Sequence, residues 1–208
     1  MRPPYSLIFC VVLAGGPLLP GAGLTAPAWA APPAKPVPHL DPKAPKPSEV
    51  VSEEQLFARL AKAESREEAK PIEEKLQAMF KASGSASVDL LMNRAEVAEA
   101  AGDKKMAQKL LGSVTGIAPN YAEGWHARAA LETASGDDTA ALISLQKVVL
   151  LNPRQFDALG ELAGMLEDYG DKAGALKLYR RALALDPQMD GVERHVRALA
   201  REVEGQDI

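Results

Sequence analysis

"YGDKAGALKLYRRALALDP", from Tyr169 to Pro187, reads as a helix with a marked start and a marked stop. The same plan recurs in "SGDDTAALISLQKVVLLNP", which ends at Pro153, and in "AGDKKMAQKLLGSVTGIAP", which ends at Pro119. The three prolines stand 34 residues apart, and units 88–121, 122–155 and 156–189 align without a gap. Gly102, Gly136 and Gly170 suit a left-handed turn that stops the first helix of each pair. Asp103, Asp137 and Asp171 follow them at the N-cap of the second. Proline then ends that helix, because it has no amide to donate. The expected architecture is all-α, built from repeated antiparallel helix pairs.

Small residues recur in phase. Ala95, Ala129 and Ala163 on the first helices, and Ala107, Ala141 and Ala175 on the second, mark close helix approach. Leu91, Trp125 and Leu159 fill one packing position; Leu111, Leu145 and Tyr179 fill another. Period 34 with this pattern resembles the tetratricopeptide repeat (TPR) family over residues 88–189. The resemblance implies an α–α superhelix of stacked pairs. Residues 51–83 read as a degenerate, shortened pair, and "GVERHVRALAREVE" as a capping helix within 190–204, followed by the tail 205–208. In the degenerate pair Ser52 and Gln55 fit a capping box, and Leu56, Phe57 and Leu60 share a face. Ile72, Leu76 and Met79 share the next face, with Pro71 expected at the start of that helix. Gly112, Thr115 and Gly116 are expected to weaken the second helix of the first unit.

Composition points the same way. The chain has 208 residues, 47% hydrophobic and only 5% aromatic. A formal charge of −4 speaks against nucleic-acid binding, which needs a basic face, and no polybasic run offers a membrane-surface contact. At the N-terminus, Arg2, the apolar "SLIFCVVLA" and the small residues of "APAWA" read as a signal peptide over 1–30, cleaved between Ala30 and Ala31. An uncleaved anchor is the alternative. Cleavage removes Cys10, the one cysteine, which suits an oxidising compartment. Residues 31–50, rich in proline, read as a semi-rigid spacer, with a ligand for a proline-recognising groove as the alternative. "VDLLMNRAEVAEAAGD", "NPRQFDALGELAGMLEDYGDKAGAL" and "EVEGQDI" further resemble small exported TPR proteins of Gram-negative bacteria. That resemblance implies a periplasmic protein acting in envelope integrity or assembly.

Catalytic patterns are thin. No His or Cys pair has zinc-ligand spacing, no motif frames a serine nucleophile, and the glycines stand singly at repeat turns. We expect no enzyme, no metal and no cofactor. By TPR analogy the concave groove is lined by the second, fifth, ninth and twelfth positions of each unit. These are Asp89, Met92, Glu96 and Glu99; Glu123, His126, Ala130 and Thr133; and Asp157, Gly160, Gly164 and Glu167. None is Lys or Arg, unlike the TPR clamp that holds a carboxylate terminus. The resemblance therefore implies a protein or peptide partner of basic or amphipathic character. The alternatives are a self-associating or wall-tethered structural protein, or an accessory subunit of an envelope machine such as cytochrome maturation or division. Arg94 and Arg128 stand where the family usually has Leu; they either meet a partner carboxylate or pair locally.

Overall fold

The computed structural model describes residues 51–205. The signal and cleavage expectation at Ala30 and Ala31, the proline-rich stretch and the last three residues lie outside the described residues. Among the described residues the chain is all-helical: α1 (Glu53–Leu60), α2 (Arg66–Lys81), α3 (Ala86–Ala100), α4 (Lys104–Ile117), α5 (Ala122–Ala134), α6 (Asp138–Leu151), α7 (Phe156–Asp168), α8 (Lys172–Leu185) and α9 (Val192–Glu204). Helices α3–α4, α5–α6 and α7–α8 pack as pairs, and α9 lies on α8. No described helix is long and apolar enough to cross a membrane.

The turn inside each pair is the same device three times. Gly102, Gly136 and Gly170 adopt φ of +75°, +76° and +85°. The next amide then reaches back five residues: Asp103 N–H to Ala98 O, Asp137 to Glu132 O and Asp171 to Leu166 O. Each aspartate side chain accepts from the amide three residues on, at 3.0, 3.1 and 2.9 Å. Ala95, Ala129 and Ala163, with Ala107, Ala141 and Ala175, are all at most 1% exposed, so the paired backbones approach closely. Gly124 does the same between units: a Cβ there would lie 2.7 Å from Val114 Cγ1. Helix α4 runs unbroken through Gly112 and Gly116, and Thr115 turns its hydroxyl onto the Leu111 carbonyl.

The first pair behaves differently. Its capping box at Ser52 and Gln55 forms as expected. Helix α2, however, begins at Arg66 rather than at Pro71, because Ser65 caps it by accepting from Glu68 N–H. Pro71 sits in the second turn, where its missing amide costs one helical hydrogen bond. Met79 is 42% exposed, off the expected apolar face. Phe80 takes the inward place and meets Phe57 with ring centroids 6.3 Å apart. Whereas α4 stacks on α5 and α6 on α7, α2 leaves α3 and comes against α5. Leu56, Phe57, Leu60, Ala63, Ala69, Ile72 and Leu76 bury together with Phe156 of the third unit. Leu185 and Met189 complete that cluster.

Polar contacts fasten this hairpin to all three units. The Arg154 guanidinium lies 3.8 Å over the Phe57 ring and pairs with Glu54 at 2.5 Å. Gln188 Nε2 donates to the Ala63 carbonyl at 2.9 Å. At the other end of α2, Tyr121 O–H donates to the Lys81 carbonyl at 2.7 Å. The hairpin therefore spans the side of the stack on which one unit passes to the next.

Leu145, 1% exposed at the centre of the middle pair, tests the packing against Leu150 on the same helix, which is 71% exposed. Leu145→Ala is expected to cost about 2–5 kcal/mol in urea unfolding. Leu150→Ala is expected to stay within about 0.5 kcal/mol of the parent.

Candidate functional site

The first helices α3, α5 and α7 carry the twelve expected groove positions, and their side chains divide into two sets. Near the starts of α5 and α7 the residues are drawn inward. Glu123, His126 and Asp157 are half-buried, and Met92 is only 9% exposed. Met92 belongs to the core of the first unit with Val88, Leu111 and Val114. Its long apolar side chain reaches between α3 and α4 and leaves only an edge on the recess beside Tyr121. Farther along, Glu96, Glu99, Ala130 and Thr133 are exposed.

The inward set forms one network. His126 Nε2 lies 3.1 Å from Glu161 Oε2. Gln155 Nε2 donates to Glu123 Oε2 at 3.0 Å and stands 3.0 Å from His126 Nδ1. Gln155 itself is fully buried, and its Oε1 has no protein partner. Burial disfavours a charged His126 ring, but the hydrogen bonds it donates to Glu123 and Glu161, with the charges of Glu161 and Asp157, outweigh it, raising the pKa to about 10. A doubly protonated ring has no lone pair to accept from the Gln155 amide nitrogen. In the charged ring Nδ1–H instead has Glu123 Oε2, 3.5 Å away, as its acceptor. Burial also raises Asp157, against the pull of His126 and the Ala158 amide.

Glu167 is engaged too. It accepts from Tyr179 O–H at 3.2 Å and lies 2.8 Å from His195 Nδ1, joining α7 to α8 and α9. Beside it Gly164 would place a Cβ 3.4 Å from the Tyr179 hydroxyl, and Gly160 one 3.1 Å from Met189 Cε. These glycines admit side chains of the chain itself. Arg128 pairs with Glu132 at 2.7 Å and lies 5.4 Å over the Trp125 ring, while Ser144 donates to the other Glu132 oxygen. That arginine is held locally; Arg94 stands exposed on α3.

The acidic surface is concentrated on the first unit. Asp89 accepts from Ser83 O–H, while Glu96 and Glu99 are exposed one turn apart. Partial burial and then the charge of Glu96 raise the Glu99 carboxyl above its ordinary value. Lys81, Asp89, Met92, Asn93, Glu96 and Tyr121 line a recess of about 160 Å³. Burial, followed by Glu123, Asp89 and Glu96, disfavours ionisation of Tyr121, keeping its hydroxyl a donor. Sequence reasoning missed Tyr121, Gln155 and Glu161. Tyr121 and Gln155 are the last residues of their units, a recurring place that the helix-face pattern does not cover. Among the described residues no group of three or more His, Cys, Asp or Glu is arranged to hold a metal ion.

No protein-family profile matches the chain. It is similar to a TPR repeat-containing protein of Rhizobium etli, 29% identical over 152 residues, which are 73% of this chain and 74% of that protein. Among solved structures it is similar to the first TPR domain of Spaghetti (RPAP3) bound to the HSP90 peptide SRMEEVD. That match has a TM-score of 0.51 and 16% identity, over 56% of this chain and 93% of that one. It is also similar to the Yersinia enterocolitica type III secretion chaperone SycD in complex with a peptide of the translocator YopD. There the TM-score is 0.51 and the identity 16%, over 59% of this chain and 97% of that one.

A raised histidine pKa stabilises the fold at low pH and withdraws that stability as pH rises through the folded value. The His126 contribution is thus complete below about 6.5, the ordinary value, and lost through about 10. Imidazole resonances followed from pH 5 to 11 are expected to show one histidine, missing in His126→Gln, titrating near pH 10. The urea midpoint of the parent should fall across that window, and His126→Gln should flatten the fall.

Proposed function

We propose that this tetratricopeptide-repeat protein is a non-catalytic adaptor that takes a basic or amphipathic segment of a partner protein against the acidic first-unit end of its groove. The fold is a scaffold suited to protein and peptide binding. The observation that carries the finer reading is the exposed pair Glu96 and Glu99, whose mutual repulsion an incoming cation relieves. Tyr121 and Met92 give the adjoining recess an apolar wall, so an aliphatic stem with a charged head fits it. The peptide SRMEEVD of the HSP90-bound neighbour is acidic. The groove here favours the opposite charge, since none of its twelve positions is Lys or Arg.

We place this adaptor in the periplasm, in envelope integrity or assembly. Support comes from the signal-like segment ending at Ala30 and from the lack of cysteine after Cys10. The mass of the protein recovered from an exporting cell is expected to match a chain beginning at Ala31. Ala30→Asp is expected to leave the longer form.

Self-association is the second reading, favoured by Leu90 and Val97, which lie seven residues apart on α3 and are 53% and 61% exposed. One titration separates the two. A lysine–leucine amphipathic peptide is expected to bind the parent and to lose affinity about tenfold or more in Glu96→Lys/Glu99→Lys. Its glutamate–leucine counterpart should not bind. No response to the basic peptide, together with a mass that rises with protein concentration, favours self-association.

A further inference from the structure

The seam between the hairpin α1–α2 and the third unit holds two carboxyl groups that the groove does not use. Glu73 of α2 is 6% exposed and Asp186, in the turn after α8, is 1% exposed. Asp186 Oδ1 accepts from Gln188 N–H at 3.0 Å, while its Oδ2 is buried without a conventional partner. The Glu73 side chain, paired with Arg66, comes within hydrogen-bonding reach of this carboxyl group. Two ionised carboxylates cannot share that bond, because neither has a hydrogen to give; one proton between them completes it. Arg66 of α2 pairs with Glu73 and stands 3.6 Å from Asp190, balancing one negative charge but not two. Around this polar point the seam is apolar, made of Leu60, Ile72, Leu76, Phe156, Leu185 and Met189.

We propose that the hairpin α1–α2 is a strap held on the third unit by a proton shared between Glu73 and Asp186, and that losing this proton loosens it. The charged groups facing Asp186 are Glu73 and Arg66 from α2, with Asp190 beyond Arg66 on its own side of the seam. Burial, the Glu73 hydrogen bond and the Glu73 charge raise Asp186 to about 6, while the Gln188 amide and Arg66 pull it down. A carboxyl raised in the docked state stabilises docking fully below its ordinary value near 4 and ceases to do so above about 6. The repeats need not unfold for the strap to leave, because each pair keeps its own turn and core. Unit two offers a control for the change of residue: Asn152 holds the equivalent position and its Oδ1 accepts from Arg154 N–H.

The test is amide hydrogen exchange on the full chain, with protection factors taken against the unstructured rate at each pH. Between pH 4.5 and 7.5, protection of α1 and α2 is expected to fall about 30-fold, while that of α5–α8 changes little. Asp186→Asn keeps the turn and supplies an amide hydrogen for Glu73, so its hairpin protection should be nearly flat with pH. Glu73→Gln offers the same donor from the other side and should be flat as well, which covers failure of either variant to fold. Constant hairpin protection in the parent would overturn the proposal. So would a fall shared equally by α5–α8, or an unchanged fall in both variants.

Discussion

An antiparallel helix pair has two broad faces and can bury only one of them in itself. The other must be covered by a neighbour, and every larger feature of this molecule follows from how that is done. Alanines held at 1% exposure or less bring the paired helices close, leaving Leu111, Leu145 and Tyr179 to fill the space between layers. At the C-terminal end the same demand is met by α9. It sets Val192, Leu199 and Ala200 on the third unit and ties its outer edge with Arg180 to Glu204 and Lys172 to Glu202. Those exposed pairs contribute little energy individually. The apolar contact does the covering, and the charges keep the outer face wet.

The two ends of the row of first helices differ because a polar network ties the starts of α5 and α7 and none ties the far part of α3. Helix α2 runs from the third unit toward Tyr121, and the residues at the starts of α5 and α7 are turned into an internal polar network. Exposed carboxylates remain where no such network forms, at Glu96 and Glu99. These exposed carboxylates thus stand on the unit whose own second helix carries two interior glycines, Gly112 and Gly116.

The repeat was legible because its signals are local. A left-handed glycine, a capping aspartate and a closing proline act within a few residues of one another, so their phase survives in one dimension. The all-α fold of stacked helix pairs, similar to that of TPR domains, followed from that phase. The start of α2 was not legible from Pro71, since a serine cap six residues upstream outweighs one missing amide. The hairpin's seat was illegible for a different reason: Gln188 and Ala63 are 125 residues apart, and no periodicity links them. Helix-face counting named a row of positions for the expected groove but could not give the partners of their side chains. Met92 packs mainly into the core, and Glu123 and His126 meet Gln155 at the far end of their own unit and, for His126, Glu161 on the next.

Arrays of stacked units usually gain or lose members with little consequence, since each touches only its neighbours. The hairpin removes that freedom here. It is joined to the first unit by the short link 82–85, yet its apolar face meets Phe156 and Met189 of the third. Helix α2 has 16 residues and so a reach of about 24 Å. A further 34-residue module inserted between those units would carry the seat beyond that reach and strand its apolar side chains in water. The copy number of three is therefore set by a molecular ruler, and lineages carrying this hairpin should vary in loop and surface sequence long before they vary in repeat count.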